Sequence, residues 1–164
     1  MSNSRFTIRE IRIDDNEKIA RVIRSVLIEY GVPKKGTAYD DTALDSMYET
    51  YNKDNCSYFI VCDNKNVVGG AGIMKLNATD TNVCELQKMY FLPGARGQGL
   101  GSSMMEICLQ KAKLFGFKKC YLETLPYMVH ARKLYEKEGF VSLDGPMGQT
   151  GHYNCNMWMI KNIE

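Results

Sequence analysis

The chain predicts an α/β (α+β) fold of order β-α-α-β-β-β-α-β-α-β-β, and three observations carry that prediction. Apolar residues recur at helical spacing in some segments and alternate, or run unbroken, in others. Clusters of Gly, Pro, Asn and Asp separate those segments. One strand-like run, Val83 to Leu92, enters a glycine-rich turn that opens directly into a long amphipathic pattern. With 164 residues and 45% hydrophobic content, the chain suits one domain, 1–164. Such a domain buries about 70% of its unfolded surface.

The first strand is read from Phe6 to Arg12, where Phe6, Ile8, Glu10 and Arg12 alternate with Thr7, Arg9, Ile11 and Ile13. A helix follows at once. Asp14 with Glu17 three positions later has the form of a capping box, and Ile19, Val22, Ile23, Val26, Leu27 and Tyr30 recur at helical spacing until Gly31 and Pro33 end it. After a loop from Val32 to Tyr39, the positions Leu44, Met47, Tyr48 and Tyr51 mark a second, shorter helix. Ser57 to Cys62 and Val67 to Leu76 read as a hairpin joined by Asp63-Asn64-Lys65-Asn66, residues that tolerate turn conformations. Leu100, Met104, Ile107, Cys108, Ala112 and Phe115 form the buried stripe of the third helix, closed by Gly116. Lys118 to Thr124 is a short buried strand. Pro126 precedes a fourth helix through Ala131, Leu134 and Tyr135 to Glu138, ended by Gly139. Phe140 to Leu143 and Tyr153 to Ile160 supply the last strands.

The turn Pro93-Gly94-Ala95-Arg96-Gly97-Gln98-Gly99-Leu100-Gly101-Ser102 has the makings of an anion site. The first turn of a helix leaves backbone N–H groups without intrahelical partners, and the macrodipole adds roughly half a positive charge there. A phosphate satisfies both. Gly97, Gly99 and Gly101 permit unusual backbone angles and close approach of the main chain, no acidic side chain intervenes, and Arg96 adds charge. A dinucleotide-binding loop would also begin Gly97-x-Gly99 after a strand, with Glu123 about 20 residues on. That alternative fails at Ser102, which stands where a third Gly or Ala should let helix and strand pack closely, and in the strand, two helices and hairpin that precede the motif.

Arg96-x-x-Gly99-x-Gly101 resembles the Gln/Arg-x-x-Gly-x-Gly/Ala signature of the GNAT superfamily of acyl-CoA N-acyltransferases. The element order resembles that fold over essentially the whole chain. Val67-Val68-Gly69-Gly70-Ala71 is similar to the family's third strand, and Ala131 to Phe140, with its Leu134-Tyr135 pair and Gly139-Phe140 step, to its fourth helix. The resemblance implies a mixed, mostly antiparallel central sheet with helices on both faces, and acetyl-CoA as co-substrate with no metal. The pyrophosphate would lie on the backbone of Arg96, Gly97, Gln98, Gly99, Leu100, Gly101 and Ser102. Free main-chain groups of Met89, Tyr90 and Phe91 would hold the pantetheine arm and thioester carbonyl.

Acyl transfer to an amine needs donors near the carbonyl, a deprotonated nucleophile and a proton for the leaving thiolate. Glu85 stands where some family members carry the glutamate that takes the amine's proton, directly or through water; a carboxylate facing solvent or pairing with Lys88 is its plainer reading. Glu123 is the reserve base. The resemblance places the Tyr135 hydroxyl beside the sulfur, where it could protonate the thiolate; otherwise it is a packed helical tyrosine. Many relatives carry Asn three residues before the helix alanine, where this chain has Met128, which removes a side-chain contact to pantetheine but not the backbone ones.

His130 and His152 have no Cys, His or carboxylate at metal-ligand spacing and read as ordinary polar residues. His152 follows the loop 145–151, which the resemblance places near the acceptor, and Lys34 and Lys35 form another rim or a solvated surface pair. The six cysteines include no Cys-x-x-Cys pair and read as buried thiols. A net charge of +2 gives no general drive toward nucleic acid or membrane, and no apolar run approaches a membrane span. A cytoplasmic N-acetyltransferase acting by direct transfer in a ternary complex is expected, its acceptor a small-molecule amine. A non-catalytic acyl-CoA sensor and a protein N-terminal or lysine acetyltransferase stay open, as does a homodimer. Acceptor choice would reside in loops 31–39 and 144–152.

Overall fold

The strand β2 (Ser57–Asp63) is buried on both faces, and its side chains sort the molecule into layers. Tyr58, Ile60 and Cys62 pack with Ile19, Ile23 and Leu27 of α1 (Asn16–Glu29) and with Met47 and Tyr51 of α2 (Met47–Tyr51). Phe59 and Val61 point the other way, into a cluster with Met104, Met105, Cys108 and Ala112 of α3 (Leu100–Leu114) and Tyr135 of α4 (Val129–Lys137). Alternate side chains serve two cores, so the strand reads Tyr-Phe-Ile-Val-Cys without a polar break. Each fully buried Ile or Leu in these layers contributes about 1.5–3 kcal/mol.

The computed structural model describes residues 4–77, 82–126, 128–151 and 155–164. Besides β2, its sheet contains β1 (Phe6–Glu10), β3 (Asn66–Lys75), β4 (Val83–Phe91), β5 (Lys119–Thr124), β6 (Val141–Leu143) and β7 (Met157–Asn162). The strand order is β1-β2-β3-β4-β5-β7-β6. Every neighbouring pair is antiparallel except β4 and β5, which run parallel. This is the mixed, mostly antiparallel arrangement with helices on both faces that the family resemblance implies.

Four local expectations are corrected. Strand β1 stops at Glu10 rather than Arg12, because the chain turns into a 3-10 segment at Ile13–Asp15. The Asp14 and Glu17 capping box is not formed; Asp15 precedes α1 and uses its carboxylate to accept from Arg12 N (2.7 Å) and twice from Arg9 (2.7 and 2.9 Å). The second helix is one turn of α-helix, preceded by 3-10 turns at Ala38–Asp40 and Thr42–Ser46. Thr37 and Asp41 side chains accept from Tyr39 N and Ala43 N, so local hydrogen bonds compete there with a longer helix. Strand β7 runs to Asn162, set by the register Lys119↔Asn162. The expected strand start at Tyr153 lies outside the described residues.

Candidate active site

Strands β4 and β5 pair only through Val83↔Lys119, Cys84↔Cys120 and Glu85↔Tyr121. Beyond Glu85 the two strands part. A cavity of about 730 Å³ fills this opening. Its lining includes β4 from Glu85 to Phe91, Leu122 to Thr124 of β5, Leu27 and Tyr30 of the α1 end, and Leu134 and Tyr135 of α4.

The floor of the cavity is bent by a β-bulge. Gly70 faces Tyr90 and Gly72 faces Gln87, so Ala71 alone opposes both Lys88 and Met89. Lys88 takes φ +50, a left-handed conformation that costs a residue with a side chain on the order of 1–3 kcal/mol. Two contacts hold it there. The Tyr58 hydroxyl donates to the Lys88 carbonyl at 2.7 Å, and the buried Lys88 ammonium lies 2.9 Å from Asp41 Oδ2. Tyr58 reaches the bulge because its ring crosses two glycines of β3: a Cβ on Gly70 or Gly72 would sit 2.6 or 2.5 Å from that ring.

The glycine turn closes one end of the cavity. Gly97 (φ +72) and Gly99 (φ +76) are left-handed, and a Cβ on either would meet nothing within 4 Å, so their main chain faces open space at the α3 N-terminus. Backbone N–H groups thus exposed at the start of a 15-residue helix fit a pyrophosphate. Gly101 also lines the cavity, and it has a packing role besides. Its Cβ would fall 2.9 Å from Leu134 Cδ2, so it lets α3 and α4 approach. Leu100 lines the cavity, whereas Gln98 and Ser102 are not part of its lining. Arg96 also lines it, yet its guanidinium is engaged elsewhere: Nη1 and Nη2 reach Glu29 at 2.9 and 2.8 Å, and Nε donates to the Phe91 carbonyl at 3.0 Å. It braces the turn against α1, and its charge is shared with a carboxylate.

Two carboxylates line the cavity in the region where β4 and β5 part. Glu85 is buried at 4% exposure and accepts from Gln87 Nε2 at 2.7 Å. Lys88, its suggested partner, is instead paired with Asp41. Glu123 accepts from the Tyr121 hydroxyl through Oε1 and from Thr150 Oγ1 through Oε2, each at 2.8 Å. Cys155 lies between these groups; burial, then Glu123 and Glu85, pushes its thiol up to about 12. Tyr135 is 7% exposed, packs edge-on against Phe140, and has its phenol pushed up to about 12 by burial and then Cys120. Met128 lines the cavity and its sulfur accepts from Thr124 Oγ1 at 3.7 Å. His130 sits on the rim, and Lys34 lies over the Tyr39 ring. His152 is outside the described residues. Among the described residues, no group of three or more His, Cys, Asp or Glu is placed to hold a metal, and no helix is long and apolar enough to cross a membrane.

The sequence model of the Acetyltransferase (GNAT) family matches residues 21–140, most of the chain. The chain belongs to the GNAT acetyltransferase family. It is 41% identical over 157 residues to the uncharacterized N-acetyltransferase YjgM of Escherichia coli (strain K12), covering 95% of this chain and 94% of that one. The fold is shared with an acetyltransferase of the GNAT family from Staphylococcus aureus Mu50 (TM-score 0.86, 21% identity, covering 97% of this chain and 99% of that one). It is shared also with yncA of Salmonella typhimurium, a structure that contains its cofactor acetyl-CoA (TM-score 0.75, 16% identity, covering 98% and 95%).

In this GNAT protein Gln87 lines the cavity and Tyr51 backs it, neither of them assigned a site role from the sequence, while Lys88, suggested as a partner for Glu85, pairs with Asp41. Gln87 carried a signal: two residues after Glu85 on one strand, it must share that residue's face. The Asp41–Lys88 pair carried none, since nothing local to either residue points to the other.

Proposed function

We propose that this chain transfers the acetyl group of acetyl-CoA directly to a primary amine of a small metabolite within a ternary complex. The observation that carries the reading is the parting of β4 from β5, which opens a cavity between a glycine-cradled helix N-terminus and the Glu85 carboxylate. A bound thioester would supply the activated acyl group. Backbone N–H groups of Gly97 to Ser102 would hold its pyrophosphate, and main-chain groups of Met89, Tyr90 and Phe91, aimed by the bulge, its pantetheine arm and carbonyl. Arg96 keeps the turn in place through Glu29.

Glu85 accepts the proton of the amine, directly or through a water, with Glu123 as the reserve. Tyr135 keeps its proton through the neutral range and donates to the departing sulfur. Burial makes it a weaker acid, so its first contribution is a hydrogen bond that strengthens as negative charge develops on sulfur. Direct transfer is favoured over an acyl-cysteine because Cys155, the thiol that lines the cavity, stays protonated at neutral pH. All six cysteines are free, which supports a reducing, cytoplasmic setting.

A panel of amines and amino acids, assayed for thiol release from acetyl-CoA, tests the proposal. Amine-dependent release is expected with at least one small amine. Tight acetyl-CoA binding without release for any small amine, amino acid or peptide would instead identify a sensor, and release with peptides alone a protein acetyltransferase.

A further inference from the structure

We infer that Tyr51 and Gln87 form a two-step positioning chain that orients the Glu85 carboxylate toward the cavity. The Tyr51 hydroxyl, delivered by α2, donates to Gln87 Oε1, and Gln87 Nε2 donates to Glu85 Oε1 at 2.7 Å. Glu85 and Gln87 are on the same face of β4, and both line the cavity. The inference rests on the reading of Glu85 as the base.

The polarity of this chain is forced by chemistry. An ionised carboxylate only accepts, so the carboxamide must turn its NH2 toward Glu85 and its oxygen away. That oxygen then needs a donor, and Tyr51 supplies one. Burial first, then the neighbouring Tyr58 and Glu85, raise Tyr51 well above an ordinary phenol, so it remains a donor through the neutral range. The reverse orientation would set the amide oxygen against the carboxylate and leave both without a proton between them. Tyr51 is itself fixed, 3% exposed and with its ring 5.1 Å from that of Tyr58. The phenol that pins the bulge therefore also packs the phenol that locks Gln87.

Other groups face Glu85 from each packed element among the described residues. Tyr121 comes from β5 and Cys155 from the chain before β7; Glu123 lines the same cavity, and Lys88, further along β4, is held by Asp41. Met74 is opposite Glu85 on β3 and does not titrate. Gln87 meets the carboxylate directly, and Tyr51 meets it through Gln87. A hydrogen bond to the charged form of a carboxyl favours that form, so loss of either donor should make Glu85 easier to protonate.

The test is a 13C titration of the Glu85 carboxyl carbon in protein labelled at glutamate, its resonance assigned by disappearance in Glu85→Gln. Tyr51→Phe should raise the midpoint by a few tenths of a pH unit and Gln87→Met by on the order of one unit, the range expected for losing a direct donor. The acid limb of kcat/KM should move with it, and acetyl-CoA affinity should stay within a few-fold. An unmoved midpoint in both variants overturns the inference, whatever happens to turnover. The reading of Glu85 as base fails separately: a Glu85→Gln enzyme that keeps both rate and acid limb would remove that role and leave the carboxyl titration to decide the chain.

Discussion

The Tyr58 hydroxyl donates a 2.7 Å hydrogen bond to the carbonyl of Lys88, at the one left-handed residue of β4. A phenol on β2 thereby fixes the bend of a strand two places away in the sheet. It can do so only because Gly70 and Gly72 leave the intervening strand bare beneath its ring. Tyr58→Phe should keep the packing and lose the hydrogen bond, costing about 0.5–1.5 kcal/mol. Chemical denaturation would read that loss. Turnover should fall at least tenfold in the still-folded protein, because the bulge aims Met89 to Phe91; wild-type turnover would detach the bulge from function.

The glycines of the turn should separate by role. Gly99→Val places a β-branched side chain at φ +76 and fills the open space before α3, so acetyl-CoA binding by calorimetry should weaken at least tenfold. Gly101→Ala instead meets Leu134, and its defect should be one of stability that Leu134→Ala relieves. Equal loss of affinity in both, unrelieved by the second change, would show that the phosphate needs the bare Cα of Gly101 as well as its backbone N–H.

Tyr135→Phe should leave acetyl-CoA binding within a few-fold while turnover falls roughly 10² to 10⁴, the range for losing a general acid. An acyl donor with a more acidic thiol should recover much of that rate, because a stable thiolate leaves unaided. Full activity where chemistry limits the rate would make Tyr135 a packing residue against Phe140.

Acid should loosen the junction of β1 and α1. Burial by itself would raise Asp15, but hydrogen bonds from Arg9 and Arg12 N outweigh it and hold the carboxyl below its ordinary 3.8. A depressed folded value means that the stabilisation is present above the unfolded value and is lost as pH falls through the folded one. Asp15→Asn should therefore cost about 1–3 kcal/mol at pH 7, less than a wholly buried pair because Arg9 is partly exposed. The gap to wild type in urea denaturation should narrow below about pH 4. A constant gap down to pH 2 would sink this assignment.

What could be read from the chain divides by sequence distance. The order of strands and helices, the run Val83 to Leu92 and the glycine turn all rest on local periodicity and backbone chemistry, and they stand in the fold. The one-turn α2 and the uncapped Asp14 do not, because Asp41 and Asp15 spend their carboxylates on turns and on Arg9. Arg96 has the right charge for an anion site, but Glu29, 67 residues away, claims it. The bulge at Lys88 depends on a tyrosine 30 residues earlier and two glycines between. Such long-range pairs have no signature in a single chain, and they shape the floor of the site.

Direct transfer from acetyl-CoA to an amine is tested by intact-protein mass spectrometry paired with thiol release. Enzyme mixed with one equivalent of acetyl-CoA should show neither thiol release nor a covalent acetyl group until a competent amine is added, whereupon one equivalent of thiol and of acetylated amine should appear together. Thiol released without amine, with an acetyl group left on Cys155, would contradict direct transfer.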